Sequence, residues 1–130
     1  MMKRATSVMS AMAMLLLACT ESSEPIDPKW ASTACDQCRM LISEPEFAAQ
    51  ILTSTGEHRY FDDIACMLSY IGQHPAKKLW VYHNGHWLVA DDAHYADDAR
   101  TPMGSGFHVK DDGPLDFTAI RAAHAAKHAK

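Results

Sequence analysis

The chain has 130 residues, 48 % of them hydrophobic and 22 % charged, and a formal net charge of −4. That length suits one compact domain or two closely packed small repeats, without room for a large substrate pocket. The acidic balance argues against a protein that tracks nucleic-acid phosphates, which needs a basic stripe.

In chain order, residues 1–18 read as an export signal. Lys3 and Arg4 form a charged start, and the apolar run 11–18 is too short to cross a bilayer. Leu16-Leu17-Ala18-Cys19 resembles the bacterial lipobox, which predicts cleavage before Cys19 and acylation of that cysteine. The alternative is an ordinary secretory signal cut nearby, with Cys19 incidental. Loss of Lys3 and Arg4 leaves 112 residues with a charge of −6. Residues 19–33, polar and carrying Pro25 and Pro28, read as a lipidated N-terminus and flexible tether, and 34–130 as the folded domain. Thr20, rather than Asp, after Cys19 points to the outer membrane of a Gram-negative host.

The domain predicts an α+β fold. Residues 39–43 read as a short strand, 48–53 and 58–61 as a hairpin about Ser54-Thr55-Gly56-Glu57. Asp62 or Asp63 caps a helix running to about Gln73, with Ile64, Met67, Leu68 and Ile71 on one face. Residues 79–83 and 86–90 flank Asn84-Gly85, a strong hairpin signal. A polar stretch, 91–100, leads to the glycine-rich segment 101–107. Residues 107–110 read as a strand, and from Asp116 onward Phe117, Ile120, Ala123 and Ala126 suggest a last helix. The order hints at a weak internal duplication.

Sulfur dominates the chemistry. Cys35-Asp36-Gln37-Cys38-Arg39-Met40 places two thiols and a thioether within six residues, and Cys66-Met67 and Met103 follow. Thiolate and thioether are soft donors that together select Cu(I) over harder ions. With Cys19 lipidated, Cys35, Cys38 and Cys66 remain, an odd number that cannot all pair in disulfides. Met40, alternating with Cys38 along a strand, points to the same face, so it serves equally as ligand or core residue. Cys66, near a helix N-terminus that favours a thiolate, reads as a buried small hydrophobe or a ligand. Met67 fits the apolar stripe. Met103 lies in a Pro-Met-Gly-Ser-Gly loop with no periodic face to bury it, and so is presented outward. His83 with His86, and His124 with His128 at i, i+4 spacing, are weaker metal pairs; Asp91, Asp92, Asp97 and Asp98 form an acidic, solvated run.

Cys38-Arg39-Met40, Phe61-Asp62-Asp63-Ile64-Ala65-Cys66-Met67 and Thr101-Pro102-Met103-Gly104-Ser105-Gly106-Phe107, in that order over residues 34–109, resemble the NosL family. Its members are periplasmic lipoproteins that carry copper to nitrous oxide reductase. The resemblance implies two related ββαβ-like units and Cu(I) held by Cys38, Met40 and Met103; Cys35 and Cys66 stand beside these as additional candidate ligands by their own thiol chemistry. Arg39 stands where family members more often have glycine. The resemblance further implies a non-enzymatic metallochaperone on the periplasmic side of a membrane, lipid-anchored through Cys19. Its partners would be an acceptor cuproenzyme and a copper-associated ABC transporter complex. Two alternatives stand beside it: a thiol-disulfide oxidoreductase using Cys35 and Cys38, and a structural zinc module of Cys35, Cys38, Cys66 and a histidine such as His58.

Overall fold

The computed structural model describes residues 23–129; the signal peptide and Cys19 lie outside the described residues. Strand β1 (Ala49–Thr53) is buried along its whole length, the polar Gln50 and Thr53 included. It is flanked on both sides, by β2 (His58–Phe61) and β3 (Ala76–His83), and β4 (His86–Val89) completes an antiparallel sheet in the order β2-β1-β3-β4. The β1–β2 hairpin closes where predicted, with Gly56 at φ 87° and the Glu57 N–H donating to Thr53 Oγ1 at 3.0 Å. Asn84 and Gly85 both take positive φ, 48° and 81°. That pair of angles lets a two-residue turn follow the twist of β3 and β4.

Helix α1 (Ile64–Ile71) starts at Asp63, whose Oδ1 accepts the Ala65 N–H at 2.9 Å. Of the two candidate caps, Asp63 alone takes the role. Ile64, Met67 and Leu68 seat the helix in the core. Helix α2 (Phe117–Lys127) is capped by Asp116, whose Oδ1 accepts the Ala119 N–H, and it buries Phe117, Ile120 and His124. Between the helices, β5 (Tyr95–Ala96) and β6 (His108–Val109) form a two-stranded ribbon. β5 was hidden in the polar stretch 91–100 because only two residues pair. Its burial depends on close backbone approach, since a Cβ on Gly113 would sit 2.3 Å from the Tyr95 carbonyl oxygen.

The α+β class holds. The two halves are unequal: β1-β2-α1-β3 is a full ββαβ unit, whereas β5-β6-α2 has no later strand among the described residues. Two expectations need correction. Residues 39–43 form no strand; only an Ala34–Leu41 bridge remains. The part of the expected tether from Ile26 to Trp30 is fixed to the sheet. The Ile26 N–H donates to Gln50 Oε1 and Trp87 Nε1–H to Asp27, while the Trp30 ring packs on Tyr82 and Trp87. An indole among polar residues supplies the apolar area that a free tether lacks.

Candidate metal centre

Residues 29–42 double back to make the first wall of the site. Ala31 N–H donates to the Ile42 carbonyl, Ile42 N–H to Thr33, Cys35 N–H to Met40 (2.8 Å) and Arg39 N–H to Cys35 (3.0 Å). Inside this tight loop the Cys38 N–H points at Cys35 Sγ, 3.4 Å away. Closing it forces Arg39 to φ 71°, a left-handed conformation natural to glycine and costly for other residues. The loop is pinned to β2, an edge strand with backbone groups to satisfy. Asp36 N–H donates to the Tyr60 carbonyl, and Asp36 Oδ2 accepts the Tyr60 N–H, both at 2.8 Å.

The second wall follows directly from β2. Asp62 is 2 % exposed; its Oδ1 accepts the Cys38 thiol at 3.1 Å, and its Oδ2 has no partner among the described residues. Cys66 sits on the first turns of α1, where Asp63 caps the helix. One donor atom from each of Cys35, Cys38, Asp62 and Cys66 falls within 4.8 Å of every other. All three cysteines are free thiols.

Their protonation is uneven. Cys35 accepts the Cys66 thiol and backbone N–H groups, which outweigh burial and pull its pKa down to about 6. Burial, with Asp62 and Cys35 alongside, pushes Cys38 up to about 12. Donation to Cys35, together with burial, pushes Cys66 strongly upward. The balance near neutral pH therefore favours a thiolate at Cys35 beside two protonated thiols. A cation entering it displaces protons from Cys38 and Cys66. Three soft thiols and a carboxylate with a spare oxygen fit a soft or borderline metal ion.

The third wall is segment 101–107. Thr101 Oγ1 accepts the Ser105 and Gly106 N–H groups, and a Cβ on Gly106 would lie 2.2 Å from the Asp97 carbonyl oxygen. Asp63 locks this loop to α1: its Oδ2 accepts the Met103 N–H at 2.9 Å, and its Oδ1 accepts the Ser105 hydroxyl at 2.7 Å. Met103 is 48 % exposed, presented outward as its loop predicts. Cys38, Cys66, Met103 and His124 line one cavity of about 360 Å³.

The structure thus brings Cys38 and Met103 to one cavity, across 65 positions of sequence, with Cys66 also lining it and the buried Cys35 clustered with both cysteines. Met40 departs from expectation. Arg39's positive φ ends the extended run that would place Met40 on the Cys38 face, and Met40 lies half exposed, outside the residues lining that cavity. His58 is not with the cysteines; it bonds Gln50 and stacks on Trp80, and Asp62 takes its place. The Cys35–Cys38 pair sits in a loop, not at a turn from strand into long helix. His83 is held by Asp111, and in the acidic run His108 bonds Asp98, holding that carboxyl below its usual range. Asp62 and the Asp63 clamp escaped the sequence reading. The available signal was the Asp-Asp pair itself, since one N-cap needs only one carboxylate.

No protein-family model matches the sequence, and no curated protein matches it. The crystal structure of the copper chaperone NosL from Shewanella denitrificans superposes with a TM-score of 0.55 at 18 % identity, over 82 % of this chain and 87 % of that one. The chain has a NosL-like fold.

Proposed function

We propose that this protein is a Cu(I)-binding metallochaperone, with Cys38 and Met103 as principal ligands and Met40 reaching in from the loop rim. The observation that carries the reading is the position of Cys38, bonded to Asp62 in the thiol cluster and also lining the cavity with Met103. The NosL-like fold supports it. A carrier needs an accessible site of few soft ligands rather than a catalytic pocket. A neutral thioether half in solvent gives such a ligand, because it binds without losing a proton and cannot form a disulfide. In this reading the cargo goes to a cuproenzyme, nitrous oxide reductase being the leading acceptor. A copper-associated ABC transporter complex takes part, with the chain anchored through Cys19 on the periplasmic side of a bacterial membrane.

An anaerobic Cu(I) competition titration tests this. The parent chain should hold one Cu(I), Cys38→Ser should lose most of the affinity, and Met103→Leu, which keeps the volume, should weaken it with the fold intact by circular dichroism. Affinity unchanged in both variants would remove the proposed site. One observation favours a second reading, a structural Zn2+ module: four donors including a carboxylate already converge. Under that reading, chelation unfolds the chain and Met103→Leu leaves Zn2+ affinity unchanged.

A further inference from the structure

His124 and His128 attract little notice in the sequence, as a helical pair near a basic tail. In the structure they face the sulfur cavity. Both residues line it, together with Cys38, Cys66 and Met103, His124 from a buried position and His128 from an exposed one. His124 is 9 % exposed, and its Nε2 lies 2.9 Å from Ser69 Oγ. Ser69 is three residues after Cys66 on α1, and positions three apart share a helix face. The buried imidazole therefore sits about one helical turn along α1 from the Cys66 thiol.

The two rings have their centroids 4.4 Å apart, tilted by 49°. With metal–nitrogen bonds of about 2.0 Å, two ligating rings have their centres roughly 4.5–5.2 Å apart, so a small separation of these rings would suit joint ligation. Ser69 supplies the partner that fixes a ligating histidine. If its oxygen accepts the Nε2–H, Nδ1 carries the free lone pair. Burial, with the neighbouring His128 and Lys127 adding to it, lowers the His124 pKa. Lys127 also lines the cavity, with its ammonium 5.5 Å from the centre of the Phe107 ring.

We propose that His124 and His128 form a second metal position, nitrogen-ligated and suited to a borderline divalent cation such as Zn2+ or Cu2+, on the wall of the cavity that the sulfur donors share. Imidazole suits these ions, whereas thiolate and thioether suit Cu(I), so one cavity carries two donor sets of different preference. This site does not depend on the copper-carrier reading.

The test is a Zn2+ titration of the intact domain followed by imidazole 15N chemical shifts, with cysteine 13Cβ shifts reporting thiol occupancy separately. The His124 and His128 rings should respond together in one step, distinct from any step at the cysteines. His128→Ala should remove the His124 response, while the amide spectrum shows the fold retained. Ser69→Ala should weaken the step about tenfold or more, as loss of a ligand's hydrogen-bond partner does, and His86→Ala should leave it unchanged. A His124 response that persists in His128→Ala would overturn the proposal. So would rings that stay silent while the cysteines fill, or a response confined to His83 and His86.

Discussion

Asp63 is the residue on which the site's geometry turns, and replacing it separates two roles. Its carboxylate caps α1 and holds the 101–107 loop through the Met103 N–H and the Ser105 hydroxyl. Losing an N-cap costs about 1 kcal/mol, and each hydrogen bond to a charged acceptor contributes about 1.5–3 kcal/mol. Asp63→Ala should therefore cost roughly 4 kcal/mol or more, a large part of the about 5–15 kcal/mol that holds a domain together. Asp63→Ser keeps a capping oxygen but cannot span both loop contacts, so it should cost about 3 kcal/mol and stay folded. Urea unfolding of the metal-free chain measures both.

The copper consequence follows from the same contacts. The loop's backbone, freed from Asp63, must be re-ordered when Met103 binds, at about 1–2 kcal/mol for each residue fixed. One such residue lowers affinity by about tenfold. Asp63→Ser should therefore weaken Cu(I) binding about tenfold in the parent chain and not at all in Met103→Leu, where no thioether remains to be positioned. Leucine retains the Met103 N–H, so the clamp itself is intact in that background. Equal losses in the two backgrounds, or unchanged Cu(I) affinity despite lowered stability, would refute the idea that Asp63 acts through Met103.

Arg39→Gly should stabilise the domain by about 1 kcal/mol, because relief of a left-handed residue outweighs glycine's extra freedom in the unfolded chain; the urea midpoint should rise with an unchanged slope. Met40→Leu should weaken Cu(I) binding less than Met103→Leu does, since only Met103 already lines the cavity with Cys38; competition titrations of the two variants side by side decide it. Metal-free stability should depend on pH through the thiols. Cys35, lowered from 9.0 to about 6, adds stability that is complete above about pH 9 and disappears as pH falls through 6. Cys38, raised to about 12, adds stability that is present below pH 9 and lost as pH rises toward 12. Urea midpoints should accordingly rise from pH 6 to 9, and Cys35→Ser should flatten that rise.

Elements set by local chemistry were legible in the sequence. The Asn84-Gly85 turn, the Ser54–Glu57 hairpin and the aspartate cap of α1 each rest on a few adjacent residues, and each stands where predicted. The ββα core and the exposure of Met103 were legible for the same reason. What failed depended on backbone torsion or distant partners. Arg39 gives no sign in a one-letter string that it takes a positive φ, so the Cys38–Met40 alternation looked like a strand. β5 pairs over only two residues and depends on Gly113 coming close to Tyr95. Asp62 looked like a spare cap because its partner, Cys38, lies 24 residues earlier. His124 was read only as half of a weak metal pair because the apolar stripe of α2 was continued from Phe117 and Ile120 through Ala123 and Ala126, whereas burial continues through His124.

The Asp62-Asp63 pair links these parts into one device. Adjacent residues leaving β2 diverge, so their carboxylates serve opposite sides of the site. Asp62 faces the thiols with one oxygen unsatisfied, an acceptor beside Cys35, whose own pKa is lowered. Asp63 turns to the helix start and the late loop, bringing Met103 to the cavity by backbone contacts that leave its side chain free. The donors thus form a gradient from the fully buried Cys35, through the partly buried Cys38, to the half-exposed Met103. For a cargo ion, the buried end offers charge and the exposed end a neutral ligand that a partner's own donor can replace. A resident structural metal has no use for such an open end, and it is this asymmetry, more than the number of sulfurs, that favours a carrier.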